Sequence, residues 1–228
     1  VISLYNAIML SKDNLEELLA TALYNGGDFA EIFIEETIST GIVCEDNKIE
    51  KISSGIEAGA GIRIISGKTT AYLASSDSSF AALRNTALKL SSSINVAKKE
   101  HEINLRPTVP HSISRIKIRP NTVPTDDKTT QVMLLNKIAR SHGSQIKQVS
   151  VSYADTNQAV TIANSLGRYV EDNRVRSRYF VNVIAEKNGL LQTGYEAPGG
   201  TVGFELFELY SPEEYANKAA ERALRMLD

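Results

Sequence analysis

The sequence has little of what disulfides, metal sites and membrane spans require. Its 228 residues include one cysteine, Cys44, and three histidines, His101, His111 and His142. A single cysteine excludes an internal disulfide and fits a reducing compartment, so we expect a cytoplasmic protein. The longest apolar runs, such as residues 180–185, fall far short of the roughly 20 residues that span a bilayer, so we expect no membrane helix.

An excess of charge is also absent. Lys and Arg number 25 against 27 Asp and Glu, which excludes a global basic field that would draw the chain onto nucleic acid or anionic lipid. The apolar start, residues 1–10, has no basic segment, no small-residue cleavage site and no initial Met. We interpret it as an ordinary segment, or as the start of a helix, rather than as a signal peptide. With 42% hydrophobic and 23% charged residues, the composition is that of a globular protein of one large or two small domains.

The first half shows helical and strand periods in turn. After Ser11 a helix is predicted, with Asp13 and Glu16 as its capping pair. Alternating residues from Ala30 predict strands that continue past a turn at residues 45–47, and a hairpin turns at Ser66-Gly67. A second helix is expected to begin at a cap. The inward residues of the first helix are Leu15, Leu18, Leu19, Ala22 and Leu23, and the second helix has Asp77 as its cap with Phe80, Leu83, Ala87 and Leu88 inward.

The second half repeats this order. A helix is predicted over 125–140, followed by alternating residues from Val149, a turn at 155–157 and a long strand over 174–185. The Lys187-Asn188-Gly189 turn returns the chain. A last helix begins at Ser211-Pro212, with Glu214 completing a capping box. The inward residues of the first of these helices are Leu134, Leu135, Ile138 and Ala139.

Four of the six prolines lie between Val96 and Pro124, which favours an extended connection between two modules. We therefore predict an α+β fold of two similar modules, residues 1–95 and 125–228, joined by the proline-rich connection 96–124. Each module should contain a helix, about four antiparallel strands and a second helix. The repeat is one of architecture and not of sequence.

Catalytic and metal-binding patterns are weak. His101-Glu102 begins like a metallopeptidase helix motif, but Leu105 occupies the position of the second histidine. His111 lies in the connection and His142 at a helix end, and Cys44 has no basic neighbour in sequence to lower its pKa. Gly67-Lys68-Thr69 lacks the upstream glycine of a phosphate-binding loop. We predict no catalytic residue and no metal ligand in this chain.

Two features remain as candidate binding sites. Arg174, Arg176 and Arg178 would lie on one face of a strand, where they could bind carboxylates, phosphates or the acidic surface of a partner. The alternative is a solvated face paired with Glu171 and Asp172 or with acids on the adjacent strand. The segment 197–205 contains three glycines that would let a ligand approach the backbone closely, although a plain surface loop explains it nearly as well. The candidate substrate-binding residues are Gly199, Gly200, Gly203, Phe204 and Glu205.

Three segments in this order resemble the amino-terminal half of the TldD/PmbA family, the so-called modulators of DNA gyrase. They are Gly59-Ala60-Gly61-Ile62-Arg63-Ile64-Ile65-Ser66-Gly67-Lys68-Thr69, Ala71-Tyr72-Leu73-Ala74 and Gly199-Gly200-Thr201-Val202-Gly203-Phe204-Glu205-Leu206-Phe207. The last is closer to the TldD branch. The resemblance implies a zinc metallopeptidase that degrades unfolded or extended peptides as a homodimer or a heterodimer of family members.

The same resemblance implies that the zinc ligands, a His-Glu-x-x-x-His motif and a cysteine, belong to a carboxy-terminal half that this sequence does not contain. We therefore expect a fragment that is inactive alone and binds no zinc, whose antiparallel strands and glycines form a substrate channel. The alternatives are a non-catalytic, PmbA-like partner or regulatory subunit, or an unrelated peptide-binding module. We expect no direct contact with nucleic acid or with a membrane.

Overall fold

The computed structural model describes residues 10–94, 96, 101–109 and 116–228. His111 and the first nine residues, for which we made predictions above, lie outside these residues. Within them, the predicted α+β class is confirmed by five α-helices and a sheet of eight strands. None of the helices in the described ranges is long and apolar enough to cross a bilayer.

The bounds of the elements follow the predicted order. The helices are α1 Lys12–Ala22, α2 Phe80–Ser92, α3 Thr125–Arg140, α4 Leu206–Leu209 and α5 Pro212–Arg225, and a 3₁₀ helix covers Pro120–Thr122. The strands are β1 Phe29–Glu45, β2 Lys48–Ser66, β3 Thr69–Ser75, β4 Arg106–Pro107, β5 Ile146–Asn164, β6 Arg168–Lys187, β7 Leu190–Glu196 and β8 Gly199–Gly200.

The strand order in the sheet is β3-β2-β1-β5-β6-β4, and β7 and β8 also pair with β6. The β2–β3, β6–β7 and β6–β8 pairs are antiparallel, whereas β4 pairs with β6 in parallel over two residues. The predicted tight turns are confirmed by positive φ angles at Asn47 (69°), Gly67 (57°) and Asn188 (54°). These conformations suit Asn and Gly, which tolerate positive φ in tight hairpins.

The chain forms two compact units, each built from three separate stretches. Unit 1 comprises Val1–Thr37, Glu57–Ile113 and Gln158–Asn173, and unit 2 comprises Ile38–Ile56, Ser114–Asn157 and Arg174–Asp228. Compact units of this kind follow spatial contacts, so they group the residues differently from a division made along the sequence. The predicted sequential division into 1–95, 96–124 and 125–228 stays a prediction.

In unit 1 the apolar stripe of α1 is confirmed, because Leu15, Leu18 and Leu19 are buried against a core that includes α2. Both predicted caps are wrong by two residues. Ser11 caps α1 by accepting from Asn14 N at 3.2 Å, and Ser79, not Asp77, caps α2. Leu88 was also predicted to lie inward but is exposed.

In unit 2, α3 packs against α5 and α5 packs against β7. The approach of α5 to β7 requires Gly194, because a Cβ there would lie 1.9 Å from the carbonyl oxygen of Ala219. Leu135 is buried as predicted, but Leu134 is exposed. The predicted capping box at the start of α5 is wrong, since Ser211 makes no side-chain cap bond.

The predicted turn at residues 155–157 is also wrong, because β5 runs through it without interruption. Asp155 and Asn157 have turn-favouring side chains, yet both are buried in line with Tyr153 along the strand. Strand pairing and burial therefore override the local turn propensity at this point. The result is a row of polar side chains inside unit 2.

Candidate functional site

Unit 2 contains a cleft of about 630 Å³. The strands β5, β6 and β7 supply its side chains, and the segment from Gly199 to Thr201 supplies backbone with little side chain. Such a concave surface with a few polar groups is the ordinary form of a ligand site. The side chains that line it include those of Ala154, Asp155, Thr156, Arg176, Ser177, Arg178, Phe180 and Tyr195.

Strand β8 lies on one side of this cleft and is held by β6. Gly199 pairs with Arg178 and Gly200 pairs with Ser177, and Tyr179 N donates to Pro198 O at 3.1 Å. A Cβ on Gly199 would lie 2.6 Å from the Cβ of Arg178, so this approach requires glycine. Nothing lies within 4 Å of the position that a Cβ on Gly200 would take.

The second edge of β8 is open. Both of its residues are exposed, and among the described residues β6 is the only strand that pairs with β8. An exposed edge presents backbone N–H and C=O groups to any extended chain that comes beside it. The edge is two residues long, with glycines that leave the approach unobstructed.

The arginine row on β6 has the predicted geometry. Arg176 and Arg178 are exposed and alternate with Val175, Ser177 and Tyr179, which are buried. Within the described part of the chain, neither arginine makes an ion pair or hydrogen bond from its guanidinium group, so the interpretation of a face paired with acids fails for these two. Beside them, Phe180 and Tyr195 pack with ring centroids 5.8 Å apart. No local sequence pattern predicts this aromatic pair, because its members come from different strands.

A buried polar cluster adjoins the cleft, and no pattern along the chain predicts it. Lys128 Nζ donates to Asp155 Oδ2 at 2.7 Å and to Thr40 Oγ1 at 3.2 Å, with Lys128 and Asp155 each 2% exposed. Among the described residues, Tyr153 Oη and Ser177 Oγ have no hydrogen-bond partner. Burial, and then the neighbouring Asp155 carboxylate, raises the pKa of Tyr153 above its ordinary value. The phenol therefore remains protonated.

Three of the five predicted site residues do not line the cleft. Phe204 packs with Tyr153 and Phe207 in the apolar core of unit 2. Gly203 is buried, and a Cβ there would lie 2.0 Å from the carbonyl oxygen of Ile118. The structure thus brings Gly199 and Gly200 together in the cleft and places Gly203, Phe204 and Glu205 elsewhere in the unit. A role for any of the five in substrate binding stays a prediction.

Glu205 serves the backbone around it. Its carboxylate accepts hydrogen bonds from Lys117 N at 3.1 Å, Ile118 N at 2.9 Å and Gly203 N at 3.1 Å. Burial opposes ionisation, but these backbone donors together outweigh it, so the pKa of Glu205 lies below its ordinary value. The side chain is therefore an ionised, buried anchor for residues 117–118.

The described residues do not fit a metal site. They contain no group of three or more His, Cys, Asp or Glu side chains that could hold an ion. His101 Nε2 lies 3.1 Å from Gly27 O, and His142 Nε2 lies 2.8 Å from Asn217 Oδ1. Cys44 is buried against Met133, and burial raises the pKa of its thiol. A metal centre needs several such ligands converging on one point.

Comparisons with known proteins agree on one family. Residues 30–94 match the family model of PmbA/TldA metallopeptidase domain 1, and residues 118–227 match that of the PmbA/TldA metallopeptidase central domain. A metalloprotease of Methanocaldococcus jannaschii is 32% identical over 228 residues, covering 96% of this chain and 48% of the relative. A metalloprotease TldD homolog of Haemophilus influenzae is 25% identical, covering 95% of this chain and 45% of the relative.

A solved structure shares the fold. A Thermotoga maritima protein named as a modulator of a DNA gyrase superposes with a TM-score of 0.76 and 18% identity, covering 93% of this chain and 47% of that one. The chain thus spans about half the length of the relatives that it matches. Because the two family models together match most of its residues in the order of the family's domains, the chain belongs to the PmbA/TldD metallopeptidase family.

Proposed function

We propose that this chain is the amino-terminal, substrate-binding half of a TldD-like zinc metallopeptidase that acts on unfolded or extended peptides. The observation that carries the proposal is the open edge of β8 beside the cleft of unit 2. The family is one of metallopeptidases, and the described residues of this chain have no ligand set for a metal. In the proposal the metal is held by another part of the protein, and this chain presents the peptide.

The chemistry of an open strand edge suits an unfolded peptide. A peptide in extended conformation satisfies the free N–H and C=O groups of the edge with its own backbone, so its side chains contribute little to this part of the affinity. Gly200 leaves the edge uncovered, because no atom lies within 4 Å of its Cβ position. The aromatic pair Phe180–Tyr195 offers apolar contact for side chains that point into the cleft.

Replacing Gly200 with Val tests the proposal. The added side chain has space in the folded protein, yet its bulk covers the backbone at the edge. We expect Gly200→Val to weaken the binding of a labelled unfolded peptide about tenfold, measured by fluorescence anisotropy, with little change in melting temperature. In the full-length protein the same substitution should lower peptide turnover and leave the metal content unchanged.

Gly55→Val is the matched control. Gly55 also lies in a strand, is exposed and has nothing within 4 Å of its Cβ position, but it is not among the residues that line the cleft. It carries the same gain in side-chain volume and in strand propensity. Equal peptide affinity in the Gly200 variant, the Gly55 variant and the unsubstituted protein would refute the role of β8.

The proposal includes assembly as a homodimer or as a heterodimer with another family member. Its support is the family membership of the chain. Sedimentation equilibrium of the full-length protein, alone and mixed with a second family member, measures the assembly directly. A monomer under both conditions at working concentration would contradict it.

A further inference from the structure

Two arginines stand beside the open edge with their charges uncompensated. Within the described residues, Arg176 and Arg178 have no acidic partner, and both line the cleft. The acid that lines the cleft, Asp155, is already paired with Lys128, and Glu196, which lies between the lining residues Tyr195 and Ala197, is paired with Arg222. The cleft therefore carries a local positive charge on a chain whose formal net charge is −2.

The glycines of β8 open a path from these arginines to the strand edge. Gly199 lies directly opposite Arg178 in the strand pair. A Cβ on residue 199 would lie only 2.6 Å from the Cβ of Arg178, so glycine leaves room for the arginine side chain. Neighbouring strands lie about 4.8 Å apart. A long arginine side chain can therefore extend over a strand of glycines toward a peptide paired on the far side, which larger side chains in β8 would prevent.

The spacing of the arginines matches that of an extended peptide. Arg176 and Arg178 are two residues apart on one face of β6, and same-face side chains of an extended peptide have the same two-residue spacing. Guanidinium groups bind carboxylates through paired N–H donors. Two acidic side chains at positions i and i+2 would therefore each meet one arginine.

We propose that Arg176 and Arg178 make the cleft selective for extended peptides that carry acidic side chains two residues apart. This inference rests on the proposed function, because it takes the open edge of β8 as the place where the peptide lies. Backbone pairing would supply binding that tolerates many sequences, and the arginines would add a preference among them. The arginines are thus specificity-determining residues and take no part in bond cleavage.

Peptides that differ only in charge test the selectivity. The probes are two short labelled peptides with blocked termini, one with Glu-Ser-Glu at its centre and one with Gln-Ser-Gln. We expect the Glu peptide to bind the 228-residue chain about fivefold more tightly, the size expected of two partly exposed ion pairs, and to lose this advantage at high salt. In Arg176→Gln/Arg178→Gln the two peptides should bind equally, at the affinity of the Gln peptide.

Arg168→Gln is the matched control, because Arg168 is an exposed arginine of the same strand that is not among the residues lining the cleft. It should retain the fivefold preference. If the unsubstituted chain binds the two peptides equally but Gly200→Val still weakens peptide binding, the selectivity is refuted and the proposed function stands. If Gly200→Val does not change peptide affinity, both the selectivity and the proposed function are refuted.

Two further probes exclude other sources of negative charge. A Gln-Ser-Gln peptide with a free carboxyl terminus that binds as tightly as the Glu peptide would assign the arginines to a terminal carboxylate and overturn the side-chain preference. An oligothymidylate that binds to the arginines more tightly than the Glu peptide, and displaces it, would assign them to nucleic acid and overturn the proposal. We expect neither probe to compete at equal concentration.

Discussion

The two compact units bury different chemistry. Among the described residues of unit 1, the buried polar side chains are those of Ser78, Ser91 and Asn164, and no Asp, Glu, Lys or Arg is buried. Unit 2 buries Lys128, Asp155 and Glu205. A buried ion pair adds little net stability over apolar residues of the same volume. Because the Lys128–Asp155 pair lies next to the cleft, we infer that it holds the cleft residues in place.

The clefts of the two units also differ in how far their glycines are covered and their arginines are paired. Unit 1 has a smaller cleft, of about 400 Å³, in which Gly61 is covered by the ring of Tyr72. Its arginine neighbour, Arg63, is paired with Glu31 at 2.8 Å. In unit 2 the corresponding features are Gly200, which nothing covers, and Arg176 and Arg178, which have no ion pair among the described residues. At these two clefts, unit 1 pairs its neighbouring arginine with an acid, whereas unit 2 leaves two arginines available to a ligand.

Breaking the buried ion pair should produce the largest effect. Lys128→Met leaves the Asp155 carboxylate buried without its cation, which costs about 3–5 kcal/mol of unfolding free energy. Urea denaturation measures the loss. The corresponding substitution in unit 1, Arg63→Met, removes a partly exposed cation from Glu31 and should cost no more than about 1 kcal/mol.

A double variant separates charge from packing in this prediction. Lys128→Met combined with Asp155→Leu removes both charges and should recover most of the stability that the single variant loses. A double variant as unstable as the single one would show that the contacts of the Lys128 ammonium with Thr40 and Tyr153, and not its pairing with Asp155, hold this region.

Substituting one glycine in each unit should produce an effect of intermediate size on the unfolding free energy. Gly194→Ala places a methyl group 1.9 Å from the backbone oxygen of Ala219, which cannot move without shifting α5, so we expect a loss of about 3 kcal/mol. Gly61→Ala meets the ring of Tyr72, which is 60% exposed and can swing away. Its cost should stay below about 1 kcal/mol. Equal melting temperatures of the two variants would contradict this distinction between backbone and side-chain contacts.

The smallest of the three destabilising effects expected in unit 2 concerns Glu205 and depends on pH. Glu205→Gln removes the negative charge and replaces one of the two oxygens that accept from three backbone N–H groups with an amide that cannot accept, and it should cost about 1–3 kcal/mol at neutral pH. Because the pKa in the folded protein lies below the ordinary 4.5, the carboxylate contributes its stability above that pH and loses it as the pH falls through the folded value. The difference between variant and unsubstituted protein should therefore shrink below about pH 4.5.

Glu208→Gln provides the reference for that titration. Glu208 lies three residues further on and is exposed, so its substitution should change the unfolding free energy by no more than about 0.5 kcal/mol at any pH. A stability difference for Glu205→Gln that stays constant from neutral to acid pH would contradict the assignment of Glu205 as an ionised anchor.

Local patterns predicted the elements well. The bounds of α3 follow from its apolar spacing between Pro124 and Gly143, and the turn at Asn188-Gly189 follows from two residues that tolerate positive φ. Each of these signals is carried by residues close together in the chain. The exposure of Leu134 shows the limit of such local patterns. Its spacing puts it in the predicted apolar stripe, but its neighbours in space decide whether it is buried.

The candidate site depended on contacts that a linear pattern does not contain. A glutamate beside glycines is typical of a binding site, but the carboxylate of Glu205 is occupied by backbone N–H donors 87 and 88 positions earlier in the chain. Asp155 looks like a turn residue until Lys128 is found beside it. The glycines at 199 and 200 were recognisable because close backbone approach leaves a direct mark on the sequence, the absence of a side chain.

The shortness of β8 has a consequence for solubility. A long, flat strand edge invites pairing with other copies of the same chain and so promotes aggregation, and proteins avoid this by keeping exposed edges very short. With two residues in β8, the edge offers too few backbone groups to seed a growing sheet. It can hold a passing peptide only together with the cleft beside it, which favours release after each encounter.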